Sequence, residues 1–120
     1  MKDLRAIAAA LSDENRLRAL LALRRGELCL CHLIGLLKLA PSTASKHLSI
    51  LKAAGLVETR REGKWIHYRL AGTDAPPAVQ TAILWVTQSL AANPQIAADA
   101  KALKSVCKLK PEELCACYRS

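Results

Sequence analysis

The sequence predicts a mainly α-helical fold carrying one β-hairpin wing, a winged helix-turn-helix that works as a dimer. Three observations predict it. Leu and Ala must fill the core, because aromatics make up only 3% of the chain and Phe is absent, and that composition favours helices. The stretch Leu28 to Gly55 reads as two short helical patterns broken by a turn near Lys38–Pro41. Leu56–Arg61 and Lys64–Leu70 then alternate and are rich in Val, Thr, Trp, Ile and Tyr, which reads as a hairpin. Helix, turn, helix, basic hairpin is the order of a winged helix.

The chain has 120 residues, enough for one ordinary domain with its own core. The apolar share of 52% excludes a disordered tail as the whole story. Lys and Arg exceed Asp and Glu by 18 to 10, a net charge of +8, which fits a polyanionic partner as well as it fits a solubility charge. Met1–Ala10 contains charges and no long apolar run, so no export signal is expected. With no membrane-spanning run either, the sequence predicts a cytoplasmic protein with reduced thiols.

Asp3 to Ala10 forms a short Ala-rich helical pattern. Ser12 is the expected N-cap of a second helix, with Asp13 and Glu14 in its first turn, where the helix dipole favours negative charge. Leu17, Leu20 and Leu21 give that helix an apolar face, and Arg24-Arg25-Gly26 suits its end. Leu28 to Leu37 is the expected third helix. Ala40 precedes a proline and is pushed out of the α region, so the break falls there. Pro41 opens the fourth helix with Ser42 as the expected N-cap, Leu48 and Leu51 face inward, and Gly55 closes it.

Ser42, Thr43, Ser45, Lys46 and His47 gather near the start of that fourth helix, mostly off its apolar stripe. A recognition helix enters the major groove with its N-terminal end first, so these are candidate DNA-reading residues. Taken alone they fit an ordinary surface helix equally well. The hairpin shifts the balance. Glu62-Gly63 is the expected turn, and Arg60, Arg61 and Lys64 cluster at its tip, as a wing on the DNA backbone or minor groove requires.

Ala78 to Ala92 is the fifth long helix, almost without charge. In so small a domain it suggests a subunit interface, in keeping with proteins that read paired half-sites. Asn93-Pro94 breaks it. We divide the chain into residues 1–92, a DNA-binding and dimerisation domain, and residues 93–120, a helical and tail extension carrying cysteines.

Five cysteines, an odd number, argue against a closed disulfide framework. Cys29 and Cys31 make a Cys-x-Cys pair beside the helix-turn-helix, and Cys115 and Cys117 make another in the tail. If both Cys29 and Cys31 were helical they would lie about 200° apart, so one would face a different environment from the other. At a helix N-terminus thiols are biased towards thiolate, which selects thiophilic ions such as Zn(II), Cd(II), Cu(I) or As(III). Binding both sulfurs to one ion would distort the first turn of the helix and shift the reading helix behind it. A third thiol would have to come from Cys107, Cys115 or Cys117, since position 34 is Ile. His32 is a weaker candidate, expected to face solvent. No Gly-rich phosphate loop, Ser-His-Asp spacing or paired-carboxylate cluster points to an enzyme. A cysteine redox switch, or a helical interaction module without DNA affinity, are readings from other classes.

The combination Leu11-Ser12-Asp13, Arg16-Leu17-Arg18, Glu27-Leu28-Cys29-Leu30-Cys31, Ser42 to Leu48, Leu51 to Val57 and Arg61 to Leu70 resembles the ArsR/SmtB family of metal-responsive winged-helix repressors, and its arsenic-responsive members most. The resemblance implies a homodimer paired through the first and fifth helices, binding an imperfect inverted repeat in operator DNA. It implies repression of an arsenic-resistance operon, relieved by As(III) or Sb(III) as inducer on Cys29 and Cys31. Many arsenic sensors place a third Cys where this chain has Ile34, and some relatives use C-terminal cysteines, which brings in Cys107, Cys115 and Cys117. The fifth-helix His and acidic ligands of zinc-sensing relatives have no counterpart in Ala78 to Ala92. Cd(II), Pb(II) and methylarsenite are the alternative ligands.

Overall fold

The computed structural model describes residues 1–108. They form six α-helices and a three-stranded antiparallel sheet of order β1-β3-β2. Helix α1 (Lys2–Ala10) buries Ile7 and Ala10. Helix α2 (Glu14–Ala22) begins at Asp13, not Ser12: the Asp13 backbone is extended and its carboxylate accepts the Arg16 N–H at 3.1 Å. The Ser12 hydroxyl instead donates to the Ala9 carbonyl at 2.6 Å, closing α1. All of Ala19 to Leu23 is buried, because α2 runs through the centre of the domain and a short 3₁₀ turn (Leu23–Arg25) extends it.

The main departure from expectation follows. Leu28–Cys29 is a two-residue strand, β1, and helix α3 spans only Leu30–Leu37. Leu28 pairs with Tyr68 and Cys29 with His67. Cross-strand pairing overrides the helical periodicity here, since backbone hydrogen bonds to β3 are available as soon as the hairpin forms. Helix α3 ends on Lys38, in the left-handed region at φ 56°. Ala40 is extended at ψ 145° and is itself the N-cap of α4 (Pro41–Ala53), with Pro41 in the first helical position in place of the expected Ser42 cap. Ala44, Leu48 and Leu51 are fully buried and bolt α4 to the core.

Strands β2 (Val57–Glu62) and β3 (Trp65–Leu70) close around Gly63-Lys64, one residue later than the sequence suggests. Gly63 has φ 60°, the positive value that a two-residue hairpin turn of this kind requires at its first position. Helix α5 (Pro77–Ser89) buries only the strip Val79, Ala82 and Val86; Leu84 and Trp85 stay 56% and 65% exposed. Helix α6 (Pro94–Val106), capped by Asn93, packs against α2 and α3 through Ile96 and the fully buried Leu103. No helix among the described residues is long and apolar enough to cross a membrane.

One buried ion pair fixes α6. Asp99 accepts from Arg18 Nε and Nη2, each at 2.9 Å, and from Gln95 Nε2 at 2.9 Å. Truncating one partner leaves the other charge stranded. Asp99→Ala is expected to cost about 2–4 kcal/mol, read as a shift in the urea unfolding midpoint, whereas an exposed control such as Lys101→Ala changes little.

Candidate nucleic-acid interface and thiol site

The outer face of α4 is set by what lies beneath it. With Ala44, Leu48 and Leu51 locked inward, Ser42, Thr43 and Lys46 are presented to solvent in the first half of the helix, and Ser45 is half-buried. The positive end of the helix dipole and these short polar side chains share one surface. His47 is placed differently. Its Nδ1 lies 3.1 Å from Arg16 Nη1 and 3.9 Å from Asp13, so it turns back toward α2. Arg16 also donates to the carbonyls of Ala10 at 2.8 Å and Ala9 at 3.2 Å. One guanidinium therefore joins the end of α1 to α4. Burial alone would raise the Asp13 carboxyl, but the Arg16 N–H and the neighbouring positive charge outweigh it and hold it below its ordinary value.

The wing cations also divide. Arg61 and Lys64 are exposed at the tip, with the Lys64 ammonium 5.0 Å from the centroid of the Trp65 ring. Arg60 is held instead by carboxylates on both sides: Nε donates to Glu27 at 2.9 Å and Nη1 to Glu62 at 2.7 Å. Those bonds raise its pKa and lower that of Glu27. His67 lies between the same two acids, at 3.9 and 3.8 Å. On the far strand edge Glu58 accepts from Arg69 at 2.8 Å and from the Gly72 N–H at 3.1 Å.

The thiols sit behind this wing. Cys29 is 1% exposed and Cys31 5%, and together they form a small cluster of their own with Trp65 and Val106 packed on it. The expectation that helical spacing would give the two sulfurs different environments fails, because Cys29 belongs to β1 and only Cys31 to α3. Cys29 is the N-cap residue of α3, and its backbone N–H donates to His32 Nδ1 at 3.2 Å, so His32 is a half-buried capping partner instead of a solvent-facing side chain. Burial, and after it the proximity of Cys29, pushes the Tyr68 hydroxyl up. Cys31 is disulfide-bonded, whereas Cys29 and Cys107 are not. Cys107 is exposed and follows Val106 directly at the end of α6. Cys115 and Cys117 lie outside the described residues. Among the described residues no three His, Cys, Asp or Glu side chains are grouped as a metal ion would need.

Residues 13–59, from the cap of α2 into β2, match the family model described as bacterial regulatory protein, arsR family. The cadmium resistance transcriptional regulatory protein CadC homolog of Staphylococcus aureus is 35% identical over 83 residues, 68% of this chain and 69% of that one. The chain belongs to the arsR family. The arsenical resistance operon repressor of Escherichia coli K12 is 45% identical over 62 residues, and that match covers 51% of this arsR-family chain and 53% of the repressor. The chain thus spans about half the length of the arsenic-related relatives it matches. Among solved structures, the homodimeric winged helix-turn-helix DNA-binding domain Mb0332 of Mycobacterium bovis superposes with a TM-score of 0.64 at 31% identity, covering 78% of this chain and 82% of that domain. These proteins are transcriptional regulators, not enzymes.

Three contributors to this arsR-family site are marked in the sequence only by the family resemblance, which does not show what they touch. Arg16 reads as scaffold, Glu27 has no visible partner, and Trp65 reads as an ordinary strand residue. The Glu27–Arg60 pair gives a pH test. Arg60 depresses the Glu27 carboxyl below its ordinary value of 4.5. A depressed acid favours the folded arrangement above its unfolded value and loses that contribution as pH falls through the folded one. The wing amides of β2 are therefore expected to hold their NMR shifts above about pH 4.5 and to move below it. In Glu27→Gln that transition should shrink to the part owed to Glu58 and Glu62, the β2 carboxyls that the Gly72 N–H with Arg69, and Arg60, respectively also hold low.

Proposed function

We propose that this chain is a dimeric transcriptional repressor that binds an imperfect inverted repeat in operator DNA and lets go when As(III) or Sb(III) is captured by cysteine thiolates. The observation that carries the reading is the joint burial of Cys29 and Cys31 at the start of α3, the helix that leads directly into α4. Support comes from the arsenic-operon repressor relative, whose matched segment is nearly half identical. We assign base and phosphate contacts to Ser42, Thr43, Ser45 and Lys46, and backbone contacts to Arg61 and Lys64. His47 and Arg60 are sequence candidates for the same surface. Through their partners, Arg16 and Glu27, they also hold α4 and the wing in position.

A second copy would cover the apolar groove of about 380 Å³ between α1 and α5, where Leu4 and Trp85 are exposed. The homodimeric Mb0332 domain supports this pairing. We place both reading and pairing surfaces within residues 1–92. The additional thiols Cys107, Cys115 and Cys117 are the candidates to complete a three-sulfur set, and Val106 on the Cys29–Cys31 cluster brings the end of α6 to that side of the molecule. Two other readings have an observation each. The CadC homolog matches over more of the chain, which supports Cd(II) as a ligand. The clustering of two buried cysteines, Cys29 and Cys31, supports a redox switch.

Operator release followed by fluorescence anisotropy, with arsenite, Cd(II) and peroxide added separately to the reduced protein, separates the three. Arsenite is expected to weaken operator binding by about 5–150-fold, the usual range for coupled sites. Cys29→Ser and Cys31→Ser should keep operator binding and lose the arsenite effect. A Cys31→Ser protein that still releases DNA on arsenite addition contradicts the assignment.

The division among the wing cations predicts different salt dependences. Each phosphate contact contributes about 0.9 to the slope of log K against log salt. Arg61→Ala and Lys64→Ala are each expected to lower the slope by about 1. Arg60→Ala should lower it less, since Glu27 and Glu62 already compensate that charge.

A further inference from the structure

We propose that Trp65 carries the effect of ligand capture from Cys29 and Cys31 to the wing, so that the wing, ahead of the recognition helix, is the part of the DNA-reading surface that responds first. The inference rests on the reading of the cysteine pair as an inducer site. It concerns where that site's output goes.

The contacts form a closed circuit. Trp65 packs on the Cys29–Cys31 cluster, and its ring also carries the Lys64 ammonium at 5.0 Å. Cys29 is paired with His67, two residues along β3 from Trp65, so the period-two alternation of a strand puts Cys29, His67 and Trp65 on one face of the sheet. Trp65 pairs across the hairpin with Glu62. Glu62 binds Arg60, Arg60 binds Glu27, and Glu27 is two residues ahead of Cys29 in the chain. Any rearrangement of the two sulfurs meets this circuit on both sides.

The alternative output is stiffer. Helix α4 is held by Ala44, Leu48 and Leu51, all fully buried. The outer half of the wing, from Arg60 to Lys64, is exposed throughout. A segment with few buried contacts moves at lower cost than one locked into the core. Trp65 lies at the junction, half-buried between the thiols and the tip. It is a positioning residue. It need not touch DNA, but it sets where Lys64 stands.

The test compares operator dissociation constants with and without saturating arsenite in the reduced full-length protein, for the wild type, Trp65→Leu, Trp65→Phe and the surface pair Arg61→Ala/Lys64→Ala. Arsenite stoichiometry is measured separately by thiol titration. The ratio of the two constants is the coupling, and each variant is judged against its own ligand-free affinity. We expect Trp65→Leu to bind arsenite while its coupling falls by about tenfold from within the usual allosteric range, and Trp65→Phe, which keeps an aromatic face for Lys64, to retain most of the coupling. In the wild type, arsenite should lower the salt slope by about 2, the share of two phosphate contacts. The double variant should lose both that change and most of the coupling.

A Trp65→Leu protein that binds arsenite and releases operator like the wild type overturns the proposal. If Trp65→Leu does not fold, the double variant decides: wild-type coupling in it overturns the wing route, and lost coupling supports it. A wild type that ignores arsenite sinks the inducer reading as well, and that failure is visible before any variant is made.

Discussion

Two backbone residues, Leu28 and Cys29, hold the working parts of this molecule together. Their pairing with Tyr68 and His67 is the join between the helical core and the wing. Without it the hairpin would be a two-stranded ribbon, which is marginal in water. With it, β3 becomes a central strand flanked on both sides. The same two residues set where α3 starts, because Cys29 leaves the sheet as the cap residue of the helix. Strand end, helix start and one of the two buried cysteines are thus one residue.

The core explains why this join can be so short. It is built from Leu, Ala, Ile and Val with Tyr68 as its one buried aromatic ring among the described residues, so there is little bulk to position by long elements. Helices α2 and α4 interlock through small and branched side chains, and the remaining specificity comes from a few polar groups. Arg16 ties α1 to α4, and Asp99 with Arg18 ties α6 to α2. Each polar tie spans elements far apart in sequence. A buried or half-buried arginine with fixed partners constrains orientation more than leucines can, because its donors accept only one geometry.

The parts legible in the sequence are those with local causes. The α3–α4 break follows from Ala40-Pro41, the end of α4 from Gly55, and the hairpin from alternation around Glu62-Gly63-Lys64. The parts that are not legible have causes elsewhere in the chain. Nothing local to Leu-Cys-Leu-Cys-His-Leu-Ile tells strand from helix, since an apolar run fits both periods; the decision lies with Tyr68 and His67, about forty residues on. The caps show the same thing on a smaller scale. Ser12 and Asp13 are both good N-caps, and a shift of one residue decides between them. Arg60 reads as a free wing cation because Glu27 is not its sequence neighbour, and His47 reads as outward because Arg16 lies on another helix. Sequence order shows which residues are polar, but not which polar residues already have a partner.

Burial of the two sulfurs also bears on which ion the site could hold. A buried apolar surrounding penalises net charge, and here Trp65 and Val106 enclose Cys29 and Cys31. Two thiolates neutralise a dication, and three thiolates neutralise a trivalent metalloid; three thiolates on a dication leave a negative charge in the cluster. The number of sulfurs therefore selects the ion as much as softness does. With Cys29 and Cys31 alone the charge balance suits Cd(II), or As(III) retaining one hydroxide. Recruitment of one thiol beyond α6 would tip it toward As(III) bound by sulfur alone. The end of α6, whose Val106 packs on the cluster, would then do more than cover it, because a thiol beyond it would decide whether the charge closes at two or at three. With Ile34 in place of a third local cysteine, a third sulfur on this cluster would have to come from another segment.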